Sequence, residues 1–396
     1  MSYYNFDEIV DRQGTYSSKY DECWDWNPYL PKEDYIPMWI ADMDFACPQP
    51  MLDAMKQRID RRILGYACLS KADDYYAAVL GWIKRRHGIN AAREDILFSS
   101  GVVPSARQVI ETLSKAGEGV MIHTPNYDSL YGPIMELGRK PVFLPLDNHD
   151  GYYTINFEQF EEEAAKPENT LLLFCSPNNP TGRVWTEEEL RRTAEICFKH
   201  NVSIFVDEIH NDIVRKGVNM ISLTALYPGD RRIVTAMSTS KCFSAAGNNH
   251  SYVISYDPDI KAAFGHSKYC GAPNPVSIAG IVAAYNECEG WLEAMLEYLD
   301  GNFEYLDNFI KNNLPKVKFR ISESTFLAWL DLSAYGKTEE EMYREVASTG
   351  LYLEYAEDFV GNGEGHARMN LAFPRSVIEK SCNLLKVILD RWDSET

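Results

Sequence analysis

The chain has 396 residues, of which 45% are hydrophobic and 24% are charged, and this composition is typical of a soluble globular protein with more than one domain. Its formal net charge of −19 argues against a nucleic-acid partner or an anionic membrane surface, because both attract positively charged proteins. No segment has the apolar length needed to span a bilayer, and the acidic first eleven residues contain no apolar signal core. Nine cysteines without a CxxC pair argue against a disulfide framework or a metal site and favour a reducing cytoplasm.

Residues 1–45 are predicted to form an extended arm, rich in aromatic residues and aspartate. The arm ends in the run Trp39-Ile40-Ala41-Asp42-Met43-Asp44-Phe45, which is typical of a strand that enters a core. Apolar residues at helical spacing then predict helices over residues 48–62 and 75–87, with Gly65 and Tyr66 in the loop between them.

Strands and helices alternate through the middle of the chain. Strands are predicted at 96–98, 120–123, 141–146, 170–175, 202–206, 233–237 and 252–256, with helices at 105–113, 157–165 and 186–200. This alternation indicates an α/β fold, with a mostly parallel sheet covered on both faces.

A long helix over 278–309 is predicted to lead into a smaller domain. Strands are expected there at 317–320, 325–332 and 367–372, with helices at 339–347 and 375–392. We therefore expect an arm (1–45) that joins the small domain, a large domain (46–290) and a small C-terminal domain (291–396).

Three polar turns follow predicted strands. Strand 202–206 ends in Asp207, strand 233–237 is followed by Ser238-Thr239-Ser240-Lys241, and Ser176-Pro177-Asn178-Asn179-Pro180-Thr181-Gly182 comes directly after strand 170–175. Strand ends in α/β proteins face the ligand crevice, where an amine usually does chemistry or binds an anion. An isolated Ser-x-Ser-Lys is more typical of a solvated surface turn, but the other two motifs favour a functional site.

Taken in chain order, from residues 176–182 through Asp207 to Lys241, these stretches resemble the aspartate-aminotransferase superfamily (class I/II) of pyridoxal-phosphate (PLP) enzymes of fold type I. The resemblance implies a large domain built on a mostly parallel sheet, a smaller α+β domain, and a homodimer with active sites at its interface. Lys241 would form the Schiff base with the PLP aldehyde, and Asp207 would keep the pyridine nitrogen protonated. Asn179 would donate to the ring's phenolic oxygen and border the substrate.

The resemblance also implies contacts to the cofactor phosphate and ring. The phosphate would be bound by the hydroxyls of Ser238 and Ser240 and by the backbone amides of Val102 and Val103 at a helix N-terminus. Tyr127 would stack on the ring and contribute about 1 kcal/mol beyond burial, although an aromatic residue at a strand end is also common in cores. Tyr66 would reach across the dimer interface to the partner's cofactor phosphate.

Arg368 precedes Met369 and Asn370 near the start of a predicted strand. By resemblance to an Arg-[Leu/Ile]-Asn motif it would grip the substrate α-carboxylate bidentately, a geometry that only a guanidinium supplies. The alternative is a structural arginine in a salt bridge.

Two features resemble one subgroup, the MalY/PatB-type carbon–sulfur lyases. These are the run that contains Ile40 and Ala41, whose backbone would border the substrate carboxylate, and His210, three residues after Asp207, which would lie beside the cofactor. Asn249 stands where most aminotransferases of this fold carry a phosphate-binding arginine, and the subgroup also has an uncharged residue there. Residues 242–249 otherwise differ from the subgroup's usual Thr-Phe-Asn-Leu-Ala-Gly-Leu-Gln, which leaves the substrate preference open.

The motifs contain no second arginine recognisable as a clamp for a side-chain carboxylate. We therefore predict α,β-elimination from a cystathionine- or cysteine-like amino acid, giving a thiol, pyruvate and ammonia. A class I/II aminotransferase is the alternative. A non-catalytic regulatory protein that retains the fold is less favoured, because Lys241, Asp207, Asn179 and Arg368 occur together.

Overall fold

The computed structural model describes residues 4–395, so residues 1–3 of the predicted arm and residue 396 lie outside the described part. The longer helices are Gln49–Asp60, Asp73–His87, Val102–Leu113, Asp128–Glu136, Phe157–Ala164, Glu187–Lys199, Pro258–Gly265, Pro275–Glu287, Glu289–Asn313, Glu339–Ala347 and Arg375–Glu395. None of the helices in residues 4–395 combines the length and the apolar character required to cross a bilayer.

A seven-stranded sheet forms the centre of the molecule. Its spatial order is Ile96–Ser99, Ser251–Ser255, Ile233–Met237, Ser203–Asp207, Asn169–Cys175, Gly119–Thr124 and Lys140–Pro145. Ser251–Ser255 runs antiparallel to both of its neighbours, and the other adjacent pairs are parallel. The predicted α/β class is thus confirmed, and the carboxyl ends of the parallel strands meet at one edge of the sheet.

Both faces of this sheet are buried, because its side chains alternate between two hydrophobic clusters. Leu172, Phe174, Ile204 and Val206 belong to one cluster. Leu171, Leu173, Phe205 and Val234 belong to the other, which the helix Val102–Leu113 covers. Burial on both faces accounts for the nearly continuous apolar runs in the sequence of these strands.

A second, antiparallel sheet lies toward the C-terminus. It contains Leu327–Asp331, His366–Asn370 and Glu354–Tyr355, with His366–Asn370 in the middle. The helices Glu289–Asn313 and Arg375–Glu395 contact each other in the same part of the chain. The N-terminal arm joins this region through Ile36–Pro37, which pairs in parallel with Leu351–Tyr352.

Five predicted elements differ in the structure. The strand character expected of residues 39–45 is wrong, because backbone oxygens of this run accept hydrogen bonds from side chains and the strand of the arm is limited to Ile36–Pro37. The predicted strand 317–320 is wrong, because Lys318 makes one isolated bridge to Asp331. The predicted helix 278–309 is two helices that meet at Cys288, since the first packs against Gln49–Asp60 and the second against Arg375–Glu395. The helix expected from residue 105 already begins at Val102. The arm is not wholly extended, because it contains the short helices Ser18–Asp21 and Cys23–Trp26.

Candidate active site

Lys241 lies just past the carboxyl end of the strand Ile233–Met237, beside the last residues of the N-terminal arm. Its amine Nζ donates a hydrogen bond of 2.5 Å to the backbone oxygen of Ala41. Burial lowers the pKa of the Lys241 amine, the carboxylates of Asp42 and Asp207 oppose this shift, and Arg368 reinforces it. A lysine that loses its proton more easily is a better nucleophile and base, so this amine can bond an aldehyde.

Asp207 ends the neighbouring strand, and its side chain is buried. The Tyr127 hydroxyl donates to its Oδ2 at 2.5 Å, and the backbone N–H of Ile209 donates to its Oδ1 at 3.0 Å. Burial raises the pKa of Asp207, whereas these two donors and the charge of Lys241 lower it. The structure therefore brings Tyr127 to Asp207 through its hydroxyl, and the stacking role of its ring stays a prediction.

Arg368 lies in the middle strand of the second sheet with 3% of its surface exposed. Its Nη1 donates to Oδ1 of Asn179 at 2.9 Å, and its Nη2 donates to the backbone oxygen of Trp39 at 3.0 Å. Nη2 also forms an ion pair with the carboxylate of Glu354. Burial lowers the pKa of the guanidinium to about 9, and the charge of Asp128 opposes that shift.

The backbone of the run 39–45 passes along the site. The side-chain amide of Asn370 donates to the backbone oxygens of Ile40 at 2.8 Å and Asp42 at 2.7 Å. These bonds, with those of Lys241 to Ala41 and of Arg368 to Trp39, hold the run between the two sheets. The predicted proximity of Ile40 and Ala41 to the other site residues is thus present, and their contact with a substrate stays a prediction.

His210 is buried, and its Nδ1 has no hydrogen-bond partner among residues 4–395. Burial lowers its pKa well below the usual value, and the charges of Lys241 and Arg368 add to this effect. The surroundings of His210 therefore favour the neutral form of its imidazole. Contact with a cofactor stays a prediction for this residue.

The residues predicted to bind phosphate gather at the same edge of the central sheet. The Ser238 hydroxyl donates to the backbone oxygen of His250 at 2.5 Å and lies 2.6 Å from the hydroxyl of Ser240. His250 directly precedes Ser251, which pairs with Ser99 just before the helix Val102–Leu113. The first N–H groups of a helix lack intrahelical acceptors, so the backbone of Val102 and Val103 can donate to an anion here.

Tyr66 is a predicted site residue that lies at the surface of the chain and does not contact Lys241. Its side chain is fully exposed, at a surface cleft formed with Leu64 and residues 272–276. This position is compatible with a role toward the site of a second subunit, because nothing in the described part of the same chain covers it.

The residues of the site fit the cofactor that the motifs imply. An enclosed amine can bond its aldehyde, a buried carboxylate can pair with its ring nitrogen, and two hydroxyls beside a helix N-terminus can hold its phosphate. A cleft of about 520 Å³ opens beside Lys241, lined by residues 40–47 and by the arm residues Arg12 and Lys19.

Several charged neighbours of the site were missed by the sequence reasoning, among them Asp42, Arg12 and Glu354, and Asp128 near Arg368. Asp42 lies within the quoted run and could have been singled out for its charge near the lysine. Arg12 and Glu354 gave no signal in the sequence. Arg12 donates to the Asp42 carboxylate at 2.5 Å, to the Asp44 carboxylate at 3.0 Å and to the backbone oxygen of Met43 at 2.9 Å.

Comparison with known proteins assigns this arrangement to a family. The model of the family described as aminotransferase class I and II matches residues 33–385. The chain belongs to that family. This aminotransferase-family chain is 33% identical to the cystathionine beta-lyase PatB of Bacillus subtilis, over 97% of the chain and 100% of PatB. It is 31% identical to protein MalY of Escherichia coli, over 95% of the chain and 96% of MalY.

A similar solved structure is the PLP-bound C–S lyase of Staphylococcus hominis in complex with the inhibitor L-cycloserine. The two chains superpose with a TM-score of 0.93 and 36% sequence identity, and the match covers 98% of each. The predicted superfamily and its lyase subgroup are therefore confirmed, together with the class of fold.

Proposed function

We propose that this protein is a PLP-dependent carbon–sulfur β-lyase that cleaves an L-cysteine-derived amino acid, such as cystathionine, to a thiol, pyruvate and ammonia. The observation that carries the proposal is the convergence of an enclosed lysine, a buried aspartate and a buried arginine, in a chain similar over its whole length to enzymes named cystathionine beta-lyase. PLP, when bound, supplies an aldehyde that bonds the substrate amine and a ring that accepts the electron pair left at the α-carbon.

The residues of the chain supply the remaining chemistry. Arg368 holds the substrate α-carboxylate through paired N–H donors, which fixes the orientation of the α-carbon. Lys241 acts as the general base, because burial lowers the pKa of its amine and so eases loss of the ammonium proton, and the free amine can take the α-proton at Nζ. The bond from the β-carbon to sulfur then breaks, and sulfur leaves with the electron pair as a thiolate. The three-carbon fragment reacts with water to give pyruvate and ammonia.

Arg12 supports elimination over transamination of a dicarboxylic amino acid. It lines the cleft beside Lys241 and is the arginine there that could bind a side-chain carboxylate. Its guanidinium already donates to two carboxylates, a backbone oxygen and the hydroxyl of Ser17. An arginine with its donors occupied in this way is not available to a second carboxylate on the substrate.

An assay with purified protein separates the two reactions. We expect pyruvate and free thiol from L-cystathionine or L-cysteine without any added keto acid, and the Lys241→Ala variant should form neither. Activity that requires a keto acid, with no thiol released, would identify an aminotransferase instead. A class I/II aminotransferase remains the second candidate because the family as a whole carries that name.

We also propose that the protein is a homodimer with Tyr66 at the subunit interface. Fold-type I PLP enzymes are typically dimeric, and Tyr66 is exposed together with Ile59, Ile63 and Leu64 in one short stretch. Contiguous exposed apolar residues of this kind are typical of subunit interfaces. Sedimentation of the wild-type protein should give twice the mass of one chain, and a monomer would contradict this proposal.

The domain boundaries and the compartment are also proposals. We keep the arm (1–45), the large domain (46–290) and the small domain (291–396). The separate sheets of the two domains support these boundaries, as does the pairing of Ile36–Pro37 in the arm with Leu351–Tyr352 in the small domain. We place the enzyme in the cytoplasm, because its cysteines stand as free thiols and most of them are buried singly in the core.

A further inference from the structure

Glu354 and Arg368 are directly opposite each other in the second sheet. Glu354 lies in the short strand Glu354–Tyr355, which pairs with His366–Asn370 so that its Cα faces that of Arg368. Opposed residues of an antiparallel pair point to the same face of the sheet. The Glu354 carboxylate accordingly forms an ion pair with Nη2 of Arg368. The arginine proposed to bind the substrate therefore already has a carboxylate of the chain against it.

The contact with Glu354 limits the N–H groups of Arg368 that are free to bind a substrate carboxylate. A guanidinium has five N–H groups. Nη1 donates one hydrogen bond to Asn179 and Nη2 donates one to Trp39, and the Glu354 carboxylate lies against Nη2 as its ion-pair partner. Nε has no acceptor among residues 4–395. A bidentate grip on a carboxylate needs two adjacent donors, and Nη2 takes part in either possible pair, with Nε or with Nη1.

We propose that Glu354 is an internal competitor for the substrate α-carboxylate, which must displace it from Nη2 of Arg368 to gain its second hydrogen bond. This inference rests on the proposed role of Arg368. Glu354 acts through Arg368 and is thus a positioning residue, not a catalytic one. Its carboxylate also compensates the charge of Arg368 until an amino acid binds.

The burial of the two side chains indicates which partner moves. The Arg368 side chain is 4% exposed, whereas that of Glu354 is 19% exposed. Arg368 is further fixed by Asn179, Trp39 and the ring of Phe359, which lies 4.9 Å below its guanidinium. Glu354 is thus the less enclosed and less restrained of the two, so its carboxylate is the partner that moves while Arg368 stays in place. The displacement favours amino acids over simple amines, since only a carboxylate can replace Glu354 at Nη2.

The test compares Glu354→Gln with the wild-type holoenzyme in calorimetric titrations with glycine, which has no β-substituent to eliminate. We expect the glycine Kd of the variant to fall about tenfold, because the substrate carboxylate no longer competes with a charged group; this factor corresponds to about 1.4 kcal/mol. The KM for cystathionine should fall by a similar factor, with kcat changed less than about twofold.

Two further variants complete the experiment. Glu357→Gln removes an equal charge from an exposed residue three positions further along the chain and should leave the glycine Kd unchanged. Glu354→Asp keeps the charge but withdraws the carboxylate by one methylene, so it should also tighten glycine binding, by a smaller factor, even if the glutamine variant folds poorly.

Equal or weaker glycine binding by both Glu354 variants would overturn the inference. If Arg368→Lys weakens glycine binding while the Glu354 variants do not change it, the role of Arg368 survives and that of Glu354 falls. If the wild-type protein releases pyruvate from L-cystathionine but binds no glycine, the inference falls and the proposed function stands; if it releases no pyruvate, the proposed function falls and the inference with it.

Discussion

Replacing Arg368 with lysine tests how the site binds its substrate. Lysine retains the positive charge but not the fork of paired donors. The substrate carboxylate would then lose one charge-assisted hydrogen bond, worth about 2 kcal/mol. Oδ1 of Asn179 would lose the 2.9 Å bond from Nη1, at a further cost of about 1 kcal/mol. The sum of about 3 kcal/mol corresponds to a loss of roughly 150-fold in kcat/KM.

Pyruvate release from L-cystathionine, followed in a coupled assay, gives kcat/KM for the wild-type protein and for Arg368→Lys. The matched control is Arg320→Lys, since Arg320 is an exposed arginine of the same region, and it should retain wild-type activity. A value of kcat/KM within threefold of wild type for Arg368→Lys would refute the bidentate grip and would leave Arg368 as a structural arginine.

Two further outcomes follow from buried titratable groups. Asp207→Asn removes a buried carboxylate whose pKa burial raises, so thermal stability should be unchanged or higher while kcat falls about 100-fold, and a melting curve with an activity assay checks both. Burial lowers the pKa of His123 from 6.5 to about 4, so the unfolded chain binds the proton first and stability falls as pH drops through this interval. Urea unfolding gives the free energy of unfolding of each protein at about pH 7.5 and about pH 5. We expect this free energy to fall by roughly 2 kcal/mol less in His123→Leu than in the wild type when the pH is lowered. An equal fall in both proteins would refute this role of His123.

The main part of the fold follows from local sequence patterns. Apolar strands alternate with amphipathic helices, and a parallel sheet must then place its polar strand ends at one edge. For this reason the sequence predicts that Asp207, which ends one strand, and Lys241, which follows the neighbouring strand, lie at the same edge of the sheet. Polar motifs also mark the strand ends in the sequence, such as Ser-Thr-Ser-Lys after an apolar run.

The features that could not be predicted depend on contacts between distant parts of the chain. Arg12 reaches Asp42 and Asp44 because of how the arm folds back, and Glu354 reaches Arg368 through strand register. Neither residue belongs to a motif, so its charge alone did not indicate its place. The break at Cys288 has a similar origin, since each of the two helices follows its own packing partner.

The central claim is that Lys241 carries the cofactor. Borohydride reduction of the holoenzyme, followed by proteolysis and mass spectrometry of the peptides, tests it most directly, because reduction makes a link between an amine and the PLP aldehyde permanent. We predict a pyridoxyl-phosphate adduct on the peptide that contains Lys241, and no adduct in the Lys241→Ala variant. An adduct on a different lysine, or an unmodified Lys241 peptide in an active preparation, would contradict the proposed site.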